Sequence, residues 1–355
     1  MSTANESAAH HPVRSDPSDD TTDGDVRVIY IAGIGRSGST MLCRTLGLVD
    51  GFVATGELMR VLGRGLLNGD LCSCGAPVRT CNLWVGVRSH LERHHPELNY
   101  PALERTRKRV TEGWEFLRYL FVPAGRAALD RELDDYRRFL SILYRSVRAV
   151  TGARVIVDAS KNLLFARLLS ETPGIRMSIL HLVRDSRGVA HSLGRRQVRP
   201  GLHGPPEYFR QQGPVLASIL WTAANLMTER TAKRTHGYHR VRYEDFVRDP
   251  SATVRTIVEL MDGAAVPLPH VSGRSVRLGM DHLIASNPNR SRRGDIELRE
   301  DAAWRDDPNA ARRWLVTGLT LPLLRRYGYS ALPRVDPRPG MAGRAPVRRS
   351  EPGTS

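Results

Sequence analysis

Residues 31–40 read IAGIGRSGST, a glycine-bracketed stretch that follows an apolar run. Gly33 and Gly38 enclose four residues and Ser39-Thr40 follow, which is the spacing of a phosphate-binding loop with serine in the place of its lysine. Glycines let such a backbone turn its N–H groups towards an anion at the start of the next helix, where the helix dipole adds to the attraction. Gly35, Arg36, Ser37, Gly38, Ser39 and Thr40 therefore form a candidate anion cradle whose nearby cation is Arg36. Without the lysine that reaches β- and γ-phosphates, a triphosphate is a poor fit. A second stretch, VIVDAS, ends its apolar run at Asp158 and resembles the magnesium-organising aspartate of phosphoryl-transfer enzymes. One alternative is thus a small-molecule kinase using ATP and magnesium. A non-catalytic nucleotide- or nucleic-acid-binding module is another, but aromatic residues make up only 6% of the chain, and single-strand binding needs stacking platforms. No nucleic-acid partner is expected.

These residues need a scaffold that aims them at one place. Arg27–Ala32 (RVIYIA), Arg154–Val157 with Asp158 next, Met177–Val183 (MSILHLV) and Tyr238–Tyr243 (YHRVRY) are short runs of strand character, each followed by a segment of helical composition. The alternation predicts an α/β fold with a P-loop-like, mostly parallel sheet flanked by helices, and ligands at the carboxyl ends of its strands. Leu48–Gly152 is far too long for an ordinary crossover and is expected to be a helical insertion after the first strand–helix unit, forming an acceptor-side lid. The expected organisation is a disordered tail at 1–25, one domain at 26–330 containing the insertion at 48–152, and a disordered Pro-, Gly- and Arg-rich tail at 331–355. With 53 Lys+Arg against 37 Asp+Glu the net charge is +16, which favours polyanionic ligands. No apolar segment is long enough to cross a bilayer and the N-terminal stretch lacks the pattern of a leader, so a cytoplasmic protein with a basic face suited to membrane surfaces is expected.

GIGRSGST is similar to the 5′-phosphosulfate loop of sulfotransferases that use 3′-phosphoadenosine-5′-phosphosulfate (PAPS), in its arginine-containing form. LHLVRDSRGVAHS resembles the 3′-phosphate motif of that family, in which an arginine closes a strand and a serine lies eight residues later, here Arg184 and Ser192. TGE at 55–57, VDASK at 157–161, VRYEDFVRDP at 241–250 and NPNRSRRGDIELREDAAW at 287–304 resemble successive blocks of its bacterial branch, although Ser291 stands where that branch often has an aromatic residue. The resemblance implies transfer of a sulfuryl group from PAPS to a hydroxyl or amine of a small-molecule, glycan or lipid acceptor, with no metal required and adenosine 3′,5′-bisphosphate released. It implies further that the loop from Gly35 to Thr40 holds the 5′-phosphate and sulfuryl oxygens and that Arg184 and Ser192 grip the 3′-phosphate. By the same resemblance Tyr243 is expected to touch the cofactor, while Arg290, Arg292 and Arg293 read as a basic loop able to close over the 3′-phosphate or as a solvated charge run. Glu57, 21 residues after Arg36, is the implied base, and Lys161, oriented by Asp158, stabilises the leaving oxygens. Read from the residues alone, Glu57 can instead open the helix that follows it, Arg184 can pair with Asp185, and Tyr243 can belong to the core. His181 and His191 are the histidine candidates for the base.

LCSCGAPVRTCNLW brings Cys72, Cys74 and Cys81 close together, with His90, His94 and His95 downstream. Three thiolates and a histidine make a metal set, but C-x-C is not the usual C-x-x-C spacing, and a disulfide or buried free thiols fit as well. The acceptor pocket is expected between the insertion and the loop Arg195–Gly213.

Overall fold

The computed structural model describes residues 24–112, 126–196, 198, 208–263, 266–285 and 288–332. Five strands form one parallel sheet: β1 (Val26–Ala32), β2 (Phe52–Gly56), β3 (Val155–Lys161), β4 (Ile175–Val183) and β5 (Gly237–Arg242). Their order is β2-β3-β1-β4-β5. β1 lies in the middle because its continuous apolar run buries both faces, as a central parallel strand must. Val28 and Tyr30 join one core cluster, and Ile29 and Ile31 join the other.

The helices in chain order are α1 (Ser39–Leu46), α2 (Asn82–His94), α3 (Tyr100–Glu112), α4 (Arg126–Thr151), α5 (Leu163–Ser170), α6 (Ser186–Gly194), α7 (Pro214–Ala232), α8 (Tyr243–Arg248), α9 (Pro250–Asp262) and α10 (Ala310–Arg326). α1, α8 and α9 cover one face of the sheet, and residues of α2, α4 and α5 pack on the other. α4 buries Tyr136, Phe139, Leu140, Leu143, Tyr144 and Val147, a helical periodicity that lays one stripe of this long helix on the core. A small antiparallel sheet, β6 (Val271–Ser272), β7 (Ser275–Leu278) and β8 (Gly294–Glu297), completes the fold and was not foreseen from the sequence.

Two boundaries differ from the sequence reading. The insertion expected at 48–152 begins with β2, an edge strand of the main sheet, and only afterwards leaves the sheet for α2, α3 and α4. FVATG is five residues long and ends in glycine, too short to stand out as a strand inside a long crossover. Tyr243 does not close β5 but opens α8. The proposed tails lie almost wholly outside the described residues, as do residues 113–125 of the insertion and 197 and 199–207 of the acceptor loop.

Candidate active site

The carboxyl ends of the five strands present, from one edge of the sheet to the other, Glu57 after β2, Lys161 at the end of β3, the glycine loop after β1, Arg184 after β4 and Tyr243 after β5. The register fixes this alignment: Ala32 pairs with both Lys161 and His181, Gly56 with Asp158, and Val183 with Arg242. Parallel strands lie ~4.8 Å apart, so the whole row spans about 20 Å. Three non-glycine residues have positive φ among the described residues: Arg36 at 73°, Lys161 at 61° and Ala285 at 52°. All three belong to this edge or to the segment beside it, and backbone held in the left-handed region concentrates at functional sites.

Within the glycine loop, Gly33 has φ 124° and Gly38 has φ 85°. A Cβ on Gly33 would meet the Leu182 carbonyl oxygen at 2.4 Å, and one on Gly38 would meet the Tyr243 ring at 2.6 Å. Gly38 caps α1, so the helix N-terminus faces the loop. The hydroxyls of Ser37 and Ser39 are buried and have no hydrogen-bond partner among the described residues. Buried hydroxyls are nearly always paired, so two orphans in one glycine loop fit a ligand that supplies acceptors.

Arg36 Nε donates to Ser192 Oγ at 3.1 Å, joining the loop to α6. Arg184 donates to the Arg36 carbonyl oxygen and to the Asp301 carbonyl oxygen, both at 2.8 Å, and lies over the Tyr243 ring at 4.7 Å. It also pairs with the Asp301 carboxylate at 3.1 Å, while Asp185 is taken by Arg187 at 2.6 Å. Burial pushes the Asp301 carboxyl up and Arg184 more than offsets it, so Asp301 is held below its usual range. Arg36 is lowered by burial and by the like charge of Arg184. Two guanidinium groups so close together are relieved by an anion between them. Arg36, Gly38, Arg184, Ser192, Tyr243 and Arg292 line a cavity of about 230 Å³ beside them. Arg290 does not line it. This side chain is buried, donates to the Ala285 carbonyl oxygen at 2.9 Å and has no partner for its Nε among the described residues.

At the other end of the row, Lys161 Nζ donates to Glu57 Oε1 at 3.0 Å and to the Ala159 carbonyl oxygen at 2.6 Å. Arg60 Nε holds Glu57 Oε2 at 3.1 Å. The Glu57 side chain is 17% exposed. Burial pushes its carboxyl up, but Lys161 and Arg60 together outweigh burial and hold it below its ordinary value. The backbone of Glu57 is pinned by its N–H donating to the Ile284 carbonyl oxygen at 2.9 Å.

Asp158 does not orient Lys161. It is fully buried, accepts from the Tyr144 hydroxyl and the Ser160 hydroxyl at 2.5 Å and from the Ser160 N–H at 2.7 Å, and also accepts from the Leu58 N–H. Ser160 Oγ in turn accepts from the Met59 N–H at 3.0 Å. The carboxylate therefore anchors the turn that carries Glu57 and has no oxygen left for a metal-bound triphosphate. His181 is buried between the Tyr238 hydroxyl and the Asn225 amide oxygen, and burial pushes its imidazole down to about 4. His191 Nδ1 meets Asp307 at 3.0 Å. Neither histidine belongs to the row.

Sequence reasoning overlooked Arg44. On buried α1 its guanidinium pairs with Asp281 at 2.5 Å and donates to the carbonyl oxygens of Asn289 at 2.8 Å, Arg292 at 2.7 Å and Gly279 at 3.2 Å. It thereby fastens the segment bearing Arg290 and Arg292 onto the helix that starts at the loop. An arginine inside MLCRTL was the available signal, since a guanidinium on an apolar helix implies buried acceptors.

A model of the sulfotransferase family matches residues 28–264 of the chain. Among solved structures, the chain is similar to the sulfotransferase domain of the olefin synthase from Synechococcus PCC 7002, over 87% of this chain and 97% of that one, at 21% identity and a TM-score of 0.44. It is also similar to a sulfotransferase from Mycobacterium tuberculosis H37Rv, over 67% of this chain and 68% of that one, at 17% identity and a TM-score of 0.36. No curated protein gives a match.

Proposed function

Since the chain belongs to the sulfotransferase family, we propose that it transfers a sulfuryl group from PAPS to a hydroxyl or amine of a small-molecule, glycan or lipid acceptor. The observation that carries the donor assignment is the pair of neighbouring anion-directed groups: the loop with its unpartnered Ser37 and Ser39 hydroxyls, and the Arg36–Ser192–Arg184 cluster beside it. A nucleotide carrying anions at both its 5′ and 3′ positions matches two such groups, and Arg184, which already holds the Asp301 carboxylate at 3.1 Å, is a group able to receive an oxyanion. Guanidinium forks suit such oxyanions.

The donor supplies an activated sulfuryl group to the row. Glu57 takes the proton of the acceptor as its oxygen or nitrogen forms the new bond to sulfur, and the electron pair of the broken bond stays on the 5′-phosphate oxygen. Loop N–H groups and the dipole of α1 meet the charge that collects there. Lys161 adds a coupled contribution. Protonation of Glu57 removes the counterion of the ammonium, and its charge then turns to the oxygens of the reacting group. The strand order supports this division of labour, with the base and lysine on the β2–β3 side and the nucleotide clamps on the β4–β5 side.

Calorimetric titration tests the reading. Magnesium-independent binding of adenosine 3′,5′-bisphosphate is expected, with Arg184→Ala weakening that ligand far more than AMP. Binding of ATP with magnesium alone, or equal loss of both ligands in the variant, would overturn it. The acceptor is to be identified by transfer of labelled sulfate from PAPS into a cell extract and mass analysis of the product.

A further inference from the structure

The turn of the insertion that follows β2 brings Cys72, Cys74 and Cys81 against His282, which lies 201 residues beyond Cys81. The three sulfurs and the histidine Nδ1 all lie within 4.8 Å of one another. Cys81 Sγ is 3.8 Å from both Cys72 Sγ and Cys74 Sγ. His282 Nδ1 is 3.1 Å from Cys81 Sγ and 3.9 Å from Cys72 Sγ. A tetrahedral zinc ion, with Zn–S of about 2.3 Å and Zn–N of about 2.0–2.1 Å, sets its sulfurs about 3.8 Å apart and its sulfur–nitrogen edges at about 3.5 Å. The two sulfur–sulfur distances match such edges, and the two sulfur–nitrogen distances fall about 0.4 Å to either side of theirs. All four cysteines of the chain are free, so no disulfide competes for these sulfurs.

The surroundings are also those of a metal site. N–H groups of Cys74, Ala76 and Trp84 donate to the sulfurs of Cys72, Cys74 and Cys81, the bonds that stabilise thiolates. The histidine is held by its backbone: Trp84 Nε1 donates to the His282 carbonyl oxygen at 2.9 Å, Ser73 Oγ to the Asp281 carbonyl oxygen at 2.8 Å, and the Leu283 N–H to Ser73 Oγ at 2.7 Å. The downstream histidines considered from the sequence do not take part. His90 meets Ser146 and stacks on His94.

We infer that Cys72, Cys74, Cys81 and His282 bind one zinc ion, a closed structural site that staples the insertion to the segment running beside Glu57. Four protein ligands leave no open coordination position, so the ion takes no part in the reaction. Binding converts three thiols to thiolates and releases their protons to solvent, leaving a centre of net charge about −1 with Arg293 donating to the Cys74 carbonyl oxygen beside it. From His282 the chain continues to Ile284, whose N–H donates to the Thr55 carbonyl oxygen and whose carbonyl oxygen accepts from the Glu57 N–H, each at 2.9 Å. The metal therefore stands two residues from the backbone bond that pins the candidate base.

The test uses the full chain, purified without chelators, and reads metal rather than turnover. Elemental analysis is expected to give about one zinc per chain. Exchange for cobalt should give the intense visible bands and thiolate charge-transfer absorption of a tetrahedral thiolate site. His282→Ala should lower zinc affinity by at least about tenfold, whereas His282→Cys should keep one ion and shift the cobalt bands. Wild-type protein that remains well below stoichiometric after zinc is supplied overturns the site. Weak octahedral cobalt bands overturn it too, and cobalt spectra of the two variants identical to wild type would remove His282 from the ligand set. The wild-type measurements stand even if a variant fails to fold.

Discussion

Glu57 and Lys161 hold each other in place across two strands, and the state of one sets what the other can do. Because Lys161 and Arg60 outweigh burial and keep the Glu57 carboxyl below its ordinary value, it is ionised and able to accept a proton throughout the neutral range. Glu57→Gln should therefore lower kcat by at least about a hundredfold while leaving the affinity for adenosine 3′,5′-bisphosphate within about twofold, measured by initial rates and calorimetry. Near-normal turnover would remove Glu57 from the role. The wild-type pH–rate profile should carry no acidic limb from this group between about pH 6 and 8. The sign for stability is the same. A depressed carboxyl contributes stability above its unfolded pKa, and that contribution is lost as pH falls through the folded value. At this scale the sequence was informative where chemistry is local. Arg36, Ser37 and Ser39 are neighbours in the chain, and Arg184 and Ser192 are one strand–helix junction apart. Arg44 and His282 escaped because their partners lie more than 200 residues away, and residue type alone carries no distance.

The loop after β1 offers two glycines with different neighbours, and so two different failures. Gly33→Ala drives a methyl into the Leu182 carbonyl oxygen, which belongs to the central sheet and cannot move aside. Gly38→Ala drives it into the Tyr243 ring, a side chain, which yields more readily than sheet backbone. Both also force alanine into positive φ, at about 1–2 kcal/mol each. Gly33→Ala is expected to lower the thermal midpoint clearly. Gly38→Ala should fold near normally and weaken nucleotide binding at least about tenfold through the displaced Tyr243, as thermal unfolding and calorimetry would show. β1, β3 and β4 were legible because continuous apolar runs mark strands buried on both faces, and the edge strand β5 through its strand-favouring tyrosine and valine. β2 was not, since an edge strand of five residues leaves little pattern, and the β6–β8 sheet is built from strands of two to four residues.

For the molecule as a whole, the apolar packing of the insertion on the sheet is joined by a polar link through a buried acid. Tyr144 on α4 donates to Asp158 on β3, and burial raises the Asp158 carboxyl to about 6, although hydrogen bonds from Ser160 and Tyr144 oppose the rise. A raised carboxyl stabilises the fold fully below its unfolded pKa, and that stability is lost as pH rises through about 6. Asp158→Asn, which carries no proton to lose, should gain thermal stability relative to wild type between about pH 5 and pH 7.5. A constant difference across that range would contradict the burial-driven shift. The parallel sheet and its helical cover were anticipated by the alternation of strand and helix patterns, but this junction was not, because the tyrosine that binds Asp158 comes from the far end of the insertion.

The order of groups along the sheet edge also bears on how two substrates share the enzyme. Glu57 and Lys161 stand on one flank of the glycine loop, Arg184 and Tyr243 on the other. On the proposed roles, a nucleotide held over the second flank leaves the first open, so acceptor and donor need not take turns in one pocket. Double-reciprocal plots should then intersect instead of running parallel, with no sulfated enzyme accumulating when the donor is supplied alone. The spent nucleotide should be able to linger while a fresh acceptor enters, making substrate inhibition by the acceptor a direct kinetic trace of the strand order.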